Sequence, residues 1–106
     1  MNTIRLSLLS GFELAVDDEV ADLPQASQRV VAFIACHERP VQRAIVAGNL
    51  WLDKHDSRAG ANLRSALWRL GDVASGLIES VGAALRIGRD VNVDLRAASV
   101  VAQKVI

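Results

Sequence analysis

At Pro24 the hydrophobic period of the chain changes, and this change limits what the chain can fold into. Before it, apolar residues alternate with polar ones: Ile4, Leu6 and Leu8 in IRLSLL (4–9), then Phe12, Leu14 and Val16 in FELAV (12–16). A period of two belongs to a half-buried strand. Ser10-Gly11 separates the two segments, Asp17-Asp18 offers a turn after the second, and EVADL (19–23) predicts a third short strand. After Pro24, Ala26, Val30, Val31, Phe33, Ile34 and Ala35 follow helical spacing, and the helix is predicted to run to Glu38. Ser27, near its start, is placed to serve the free amides, and Arg39-Pro40 ends it, because proline cannot continue a helix and restricts its predecessor.

The remaining chain keeps the helical period for two more segments and then loses it. A second helix is predicted over 42–52, with Ile45, Val46, Leu50 and Trp51 as its apolar residues. LDKHDS interrupts, Asp56 or Ser57 is a candidate N-cap, and a third helix is predicted over 58–74, with Gly71 and Gly76 marking a frayed end. LIES (77–80) and LRI (85–87) predict a hairpin around VGAA, with Gly82 in the turn. VNVDL (91–95) predicts one more short strand, and the tail from residue 96 to 106 has a helical pattern. The class is α+β. N-terminal antiparallel strands, three helices and a C-terminal hairpin stand in the order of a winged helix-turn-helix, in which the third helix enters the major groove and the hairpin, or wing, reaches the DNA backbone. On this reading residues 1–95 form the domain and 96–106 a helical tail.

The third helix carries the most informative string, SRAGANLRSALWRL (57–70). With 100° per residue, Ala59, Ala66, Leu67, Leu70 and Ala74 fall within about 60° of Leu63 and form a core stripe. Arg58, Ala61, Ser65, Trp68, Arg69 and Asp72 face away, with Asn62 and Arg64 on opposite flanks. An arginine fork matches guanine O6 and N7 or a phosphate, asparagine matches adenine N6 and N7, and small residues let the backbone approach the bases. The plain alternative is a solvated helix face. Such a face usually interleaves both signs, whereas 57–71 holds no Asp or Glu.

Charge supports a split molecule. The net charge is zero, but residues 1–24 carry five acids and one base, and the remainder carries seven acids and eleven bases. An acidic front repels polyanions and a basic back attracts them.

Beyond pattern, the Gly11-Phe12 turn, QRVVAFIA, RPVQR, the Leu50-Trp51 pair with Asp53, and above all ANLRSALWRL (61–70) resemble the N-terminal DNA-binding domain of the SARP family of actinobacterial antibiotic regulatory proteins, a winged helix of the OmpR/PhoB type. The resemblance covers about residues 3–95. Leu52 stands where the family often has proline, and Gly71-Asp72 where many members continue with arginine. The resemblance implies a transcriptional activator. It would bind double-stranded promoter DNA as direct repeats, with a second copy alongside, and help recruit RNA polymerase. It carries DNA reading to Arg58, Asn62, Arg64, Ser65, Trp68 and Arg69, with Arg64 and Arg69 foremost. Arginines around helix two and the wing, including Arg86 and Arg89, would serve phosphates. The helical repeat domain that follows in the family is not in this sequence, which makes the chain either the first domain of a longer protein or a domain that stands alone.

Other features fit this class. Trp51 reads as core, and Trp68 either covers the hairpin or touches sugar-phosphate. Cys36 reads as a small buried hydrophobe and, being single, has no disulfide partner. His37 and His55 are too few for a zinc site, the acids at 17–19 suit a turn, and no phosphate loop or nucleophile elbow is present. Neither enzyme, metal nor cofactor is expected. Without a signal peptide or an apolar span the expected location is the cytoplasm, away from membranes. A second functional reading, a winged helix that holds another protein instead of DNA, fits the zero net charge.

Overall fold

The structure, a computed structural model, describes residues 3–8 and 11–94. The helical pattern expected over 96–106 lies outside the described residues. Strands β1 (Ile4–Ser7), β2 (Glu13–Val16) and β3 (Glu19–Ala21) lead into α1 (Gln25–Ala35). Then come β4 (Val41–Gln42), α2 (Arg43–Leu50), α3 (Asp56–Val73), the hairpin β5 (Ile78–Val81) and β6 (Ala84–Ile87), and β7 (Asn92–Asp94). The chain is an α+β fold with three helices and seven strands in two sheets among the described residues.

The first sheet has the order β3-β2-β1-β7. Its β2–β3 turn is Asp17-Asp18, both in the left-handed region with φ of 52° and 68°. Two left-handed central residues make the turn whose twist suits a two-residue hairpin, and aspartate tolerates that region better than most side chains. Asp17 also fastens the turn to the start of β1. Its amide donates to the Thr3 carbonyl at 2.8 Å, and its carboxylate accepts from the Thr3 amide at 2.8 Å. Asp18 pairs with Arg5 beside it. On the far side of β1, β7 adds in parallel, with Leu6 opposite Val93.

The second sheet, β4-β6-β5, joins helices to hairpin. Val41 of β4 pairs with Leu85, and the Arg43 amide, first in α2, donates to the Ala83 carbonyl at 3.0 Å. The foot of the hairpin is closed by glycines. The Gly88 amide donates to the Leu77 carbonyl at 2.9 Å, and a Cβ placed on Gly88 would lie 2.0 Å from the Gly76 carbonyl oxygen.

Between the sheets and helices lies one apolar cluster. Leu6 and Leu14 come from the first sheet, Val30, Val31 and Ile34 from α1, Val46 from α2, Leu63 and Leu70 from α3, and Leu77 and Leu85 from the hairpin side. Each such side chain contributes roughly 1.5–3 kcal/mol by leaving water. Several expectations are corrected here. Ser27 is no cap, since α1 begins at Gln25. Its hydroxyl is fully buried and donates to the Ala66 carbonyl of α3 at 3.1 Å, tying the two helices. α1 stops at Ala35, short of Glu38, and Cys36 is therefore exposed rather than buried. α3 starts at Asp56, so Asp56 and Ser57 are inside it, not capping it, and the helix ends at Val73, between Gly71 and Gly76. α2 ends at Leu50, whose carbonyl accepts from Arg29 Nη2 of α1 at 2.6 Å, and Trp51 leaves the helix to pack half-buried on the core. No helix among the described residues is long and apolar enough to cross a membrane.

Candidate nucleic-acid interface

α3 is positioned by its own apolar stripe. Ala59, Leu63, Ala66 and Leu70 are buried against α1 and α2, which leaves the opposite side in solvent. Continuing 100° per residue from Leu63, Arg58, Asn62, Ser65 and Arg69 fall between about 200° and 260°. They form one straight stripe, roughly 16 Å from Arg58 to Arg69 at 1.5 Å per residue. Arg58, Ser65 and Arg69 are exposed and Asn62 is half-buried. Beside the stripe stands Trp68, with 72% of its surface exposed. An indole so open does not cover the hairpin.

Arg64 stands apart from the stripe, about 100° from Leu63. Its Nη1 lies 3.8 Å from where a Cβ on Gly60 would be, so the side chain lies back along its own helix. It lines a cleft of about 340 Å³ between α2 and α3, together with Arg43, Gly48 and Gly60. Arg43 is the arginine of helix two that fits the general expectation. It begins α2, and its Nη2 lies 3.4 Å from the Ser80 hydroxyl on β5, so it bridges the helix pair and the hairpin. Its signal in the sequence was the second arginine of RPVQR.

None of Arg58, Arg64 and Arg69 takes part in an ion pair among the described residues; the pairs present involve Arg5, Lys54, Arg86 and Arg89. No side-chain hydrogen bond among the described residues engages these three guanidinium groups either. The hairpin differs. Arg86 faces Glu79 across the strands in register and gives it two contacts, Nε at 3.1 Å and Nη2 at 2.9 Å. Arg89 Nε is 3.9 Å from the same carboxylate oxygen and its side chain is 78% exposed. The hydrogen bond from Arg86 holds the Glu79 carboxyl below the usual carboxylate range. Partial desolvation opposes this, and the Arg89 amide and both guanidinium charges reinforce it. Both arginines sit toward the foot of the hairpin. Its tip, around Gly82 with φ of 61°, carries no charge.

The opposite end of the molecule is acidic, with Glu13, Asp17, Asp18, Glu19 and Asp22 all exposed on or beside β2 and β3. Among the described residues no group of three or more His, Cys, Asp or Glu side chains is placed to hold a metal ion. Chemically, the exposed side of α3 offers planar donor groups, one amide and one indole, a set suited to recognising base edges and phosphates. Comparison with models of protein families, with curated proteins and with solved structures finds no match.

Proposed function

We propose that the chain is a winged-helix DNA-binding domain of the OmpR/PhoB type, resembling that of SARP activators, which reads double-stranded promoter DNA through α3. The observation that carries this reading is the stripe Arg58-Asn62-Ser65-Arg69, exposed apart from the half-buried Asn62 and without ion-pair partners among the described residues, on a helix whose other side is fixed in the core. Arg69, Arg58 and Asn62 address base edges. Arg64 and Arg43, on the α2 flank, hold phosphates. Arg89 serves the backbone from the foot of the β5–β6 wing, and Arg86 does so in exchange for, or alongside, its contact to Glu79. Recruitment of RNA polymerase and pairing of two copies on direct repeats follow from the family resemblance and belong to the same proposal.

Selection of duplexes from a random pool by the purified chain, followed by titration at several salt concentrations, tests it. The expected result is an enriched motif with log K falling linearly with log salt, the slope being about −0.9 per phosphate neutralised. The three or four arginines assigned to phosphates, Arg43, Arg64 and Arg89 with or without Arg86, give a slope of roughly −3 to −4. A pool that shows no enrichment, with binding weak and flat against salt, would overturn the proposal. The open Trp68 would then favour the second reading, a protein-interaction face, because exposed tryptophan is typical of hot spots between proteins.

A further inference from the structure

α2 and α3 each hold a glycine within the helix, Gly48 and Gly60, and both line the cleft of about 340 Å³ between the two helices. Glycine is a poor helix former, and inside a helix it commonly marks a close approach. No described part of this chain makes that approach. A Cβ on Gly48 would have no neighbour within 4 Å, and one on Gly60 would meet only Arg64 Nη1 at 3.8 Å. The room these glycines leave is unused by the protein itself.

The cleft is polarised along its length. On α3, Asp56, Gly60 and Arg64 follow at four-residue spacing, so a carboxylate, a gap and a guanidinium succeed one another over about 12 Å. Arg43 of α2 belongs to the Arg64 end, because it also lines the adjoining cleft with Leu67 and Leu70, which lie beyond Arg64 on α3. The floor is apolar, built from buried Ala47, Ala59 and Leu63. Among the described residues neither arginine has a carboxylate partner, Asp56 is in no ion pair, and Arg43 reaches the Ser80 hydroxyl at 3.4 Å. Two cations and one anion leave the cleft one net positive charge.

We propose that this cleft binds a small amphipathic carboxylate. Its head accepts hydrogen bonds from the guanidinium groups of Arg64 and Arg43, its narrow apolar body lies over Ala47 and Leu63 between the two glycines, and its far end, beside Asp56, is uncharged. The charge and the shape of the cleft both select this class. A guanidinium fork matches a carboxylate, and one negative charge balances the site. A phosphate monoester, with close to two negative charges, exceeds it. A second anionic group at the far end of the ligand meets Asp56. The volume lies at the lower end of small-molecule pockets, about 300–1,000 Å³. A DNA phosphate can reach the arginines but has no use for the apolar floor or for the room between the glycines. The effect on DNA rests on the assignment of Arg43 and Arg64 to phosphates: an occupied cleft withdraws both from the DNA backbone.

Amide NMR of the isotope-labelled chain, titrated with octanoate, acetate and octanedioate, tests the site without DNA. Octanoate is expected to shift the amides of Gly48, Gly60 and Arg64 saturably, with half-saturation in the millimolar range or below, as for a ligand of about ten heavy atoms. Acetate, the head alone, should bind at least about tenfold more weakly, because it covers none of the apolar floor. Octanedioate should bind about threefold or more weakly than octanoate, and Asp56→Asn should close that gap. Arg64→Ala should lower octanoate affinity about 5–10-fold. Gly60→Leu fills the cleft with a better helix former and should abolish octanoate binding in a chain whose spectrum remains that of the folded protein; Gly60→Ala should weaken it by a smaller factor. Arg39→Ala removes a cation from the α1–β4 connection and should change nothing. The proposal is overturned if octanoate gives no saturable shift, if acetate matches it, or if Gly60→Leu and Gly60→Ala both bind octanoate like the parent. On an enriched duplex, saturating octanoate should weaken binding and flatten the salt slope by about 1.8, two phosphate contacts. Unchanged duplex binding with the cleft occupied would overturn the competition. A chain that binds octanoate but no duplex keeps the cleft site and refutes only the DNA reading.

Discussion

Gly88→Ala should be the most damaging single-methyl change in this protein. The added Cβ would lie 2.0 Å from the Gly76 carbonyl oxygen, 3.2 Å from the Gly76 carbonyl carbon and 3.3 Å from Val91 Cγ2. Ordinary contact requires the two backbones to part by about 1 Å or more. Neither atom of Gly76 is the end of a flexible side chain, so the strain falls on the foot of the β5–β6 hairpin. Parting it breaks the hydrogen bond from the Gly88 amide to the Leu77 carbonyl, 2.9 Å long, worth about 1 kcal/mol. Overpacking adds about 1–3 kcal/mol. The sum is a loss of roughly 2–4 kcal/mol, or about 10–25 °C in Tm for a domain of this size. Gly88 does not occupy the left-handed region, so the effect is steric and not a matter of backbone preference. Gly60→Ala is the control: in α3, its Cβ would meet only Arg64 Nη1 at 3.8 Å, and it should gain about 0.5–1 kcal/mol from helix propensity. Urea denaturation followed by circular dichroism reads both. A Gly88→Ala protein within 0.5 kcal/mol of the parent, with an unchanged m-value, would refute the steric account.

Further outcomes are expected. Arg69→Ala should cost about 1–3 kcal/mol of discrimination on an enriched duplex, whereas Arg64→Ala should weaken all duplexes alike and flatten the salt slope by about one phosphate; anisotropy titrations that give the two variants the same profile would reject the division of the α3 face. Ser27→Ala should lower stability by about 1 kcal/mol, as the Ala66 carbonyl loses a buried hydroxyl donor, and an unchanged denaturation midpoint would contradict this. Glu79 has a lowered carboxyl pKa in the folded protein, so its stabilising contribution is present above the ordinary carboxylate value and lost as pH falls through the folded value. The stability gap between the parent and Glu79→Gln should therefore close on acidification, and a gap that stays constant from neutral pH to below the carboxylate range would count against the Arg86–Glu79 account.

Period alone made much of this architecture readable. Ile4, Leu6 and Leu14 alternate with polar neighbours and are the buried residues of β1 and β2, and the stripe through Leu63 and Leu70 is the buried side of α3. Asp17-Asp18 announced its turn because the left-handed region admits few other non-glycine pairs. What stayed hidden was set by tertiary partners. β4 has only two residues, too few to show any period, and exists because Val41 meets Leu85. Ser27 looked like a cap because serine at a helix start usually is one; its partner, the Ala66 carbonyl, is distant in sequence. Wheel geometry placed Trp68 outward, but how far it stands in solvent depends on the packing of the elements around α3. The arginines of the α3 face were legible as residues, while the lean of Arg64 over Gly60 depends on the cleft that α2 creates.

The parallel pairing of β7 with β1 has a consequence for how such a chain folds as it is made. Leu6 and Val93 become neighbours across nearly the whole described length. The β1–β2–β3 meander and the three helices close over short separations and can assemble as they emerge from the ribosome. One long side of β1 has no partner strand until residues 92–94 are released. A strand with an unpaired edge is a template for another chain. For the duration of synthesis, then, β1 precedes every other described strand and yet keeps an open side until the last of them is made. The interval of exposure is set by how fast the ribosome reaches β7, not by the stability of anything already folded.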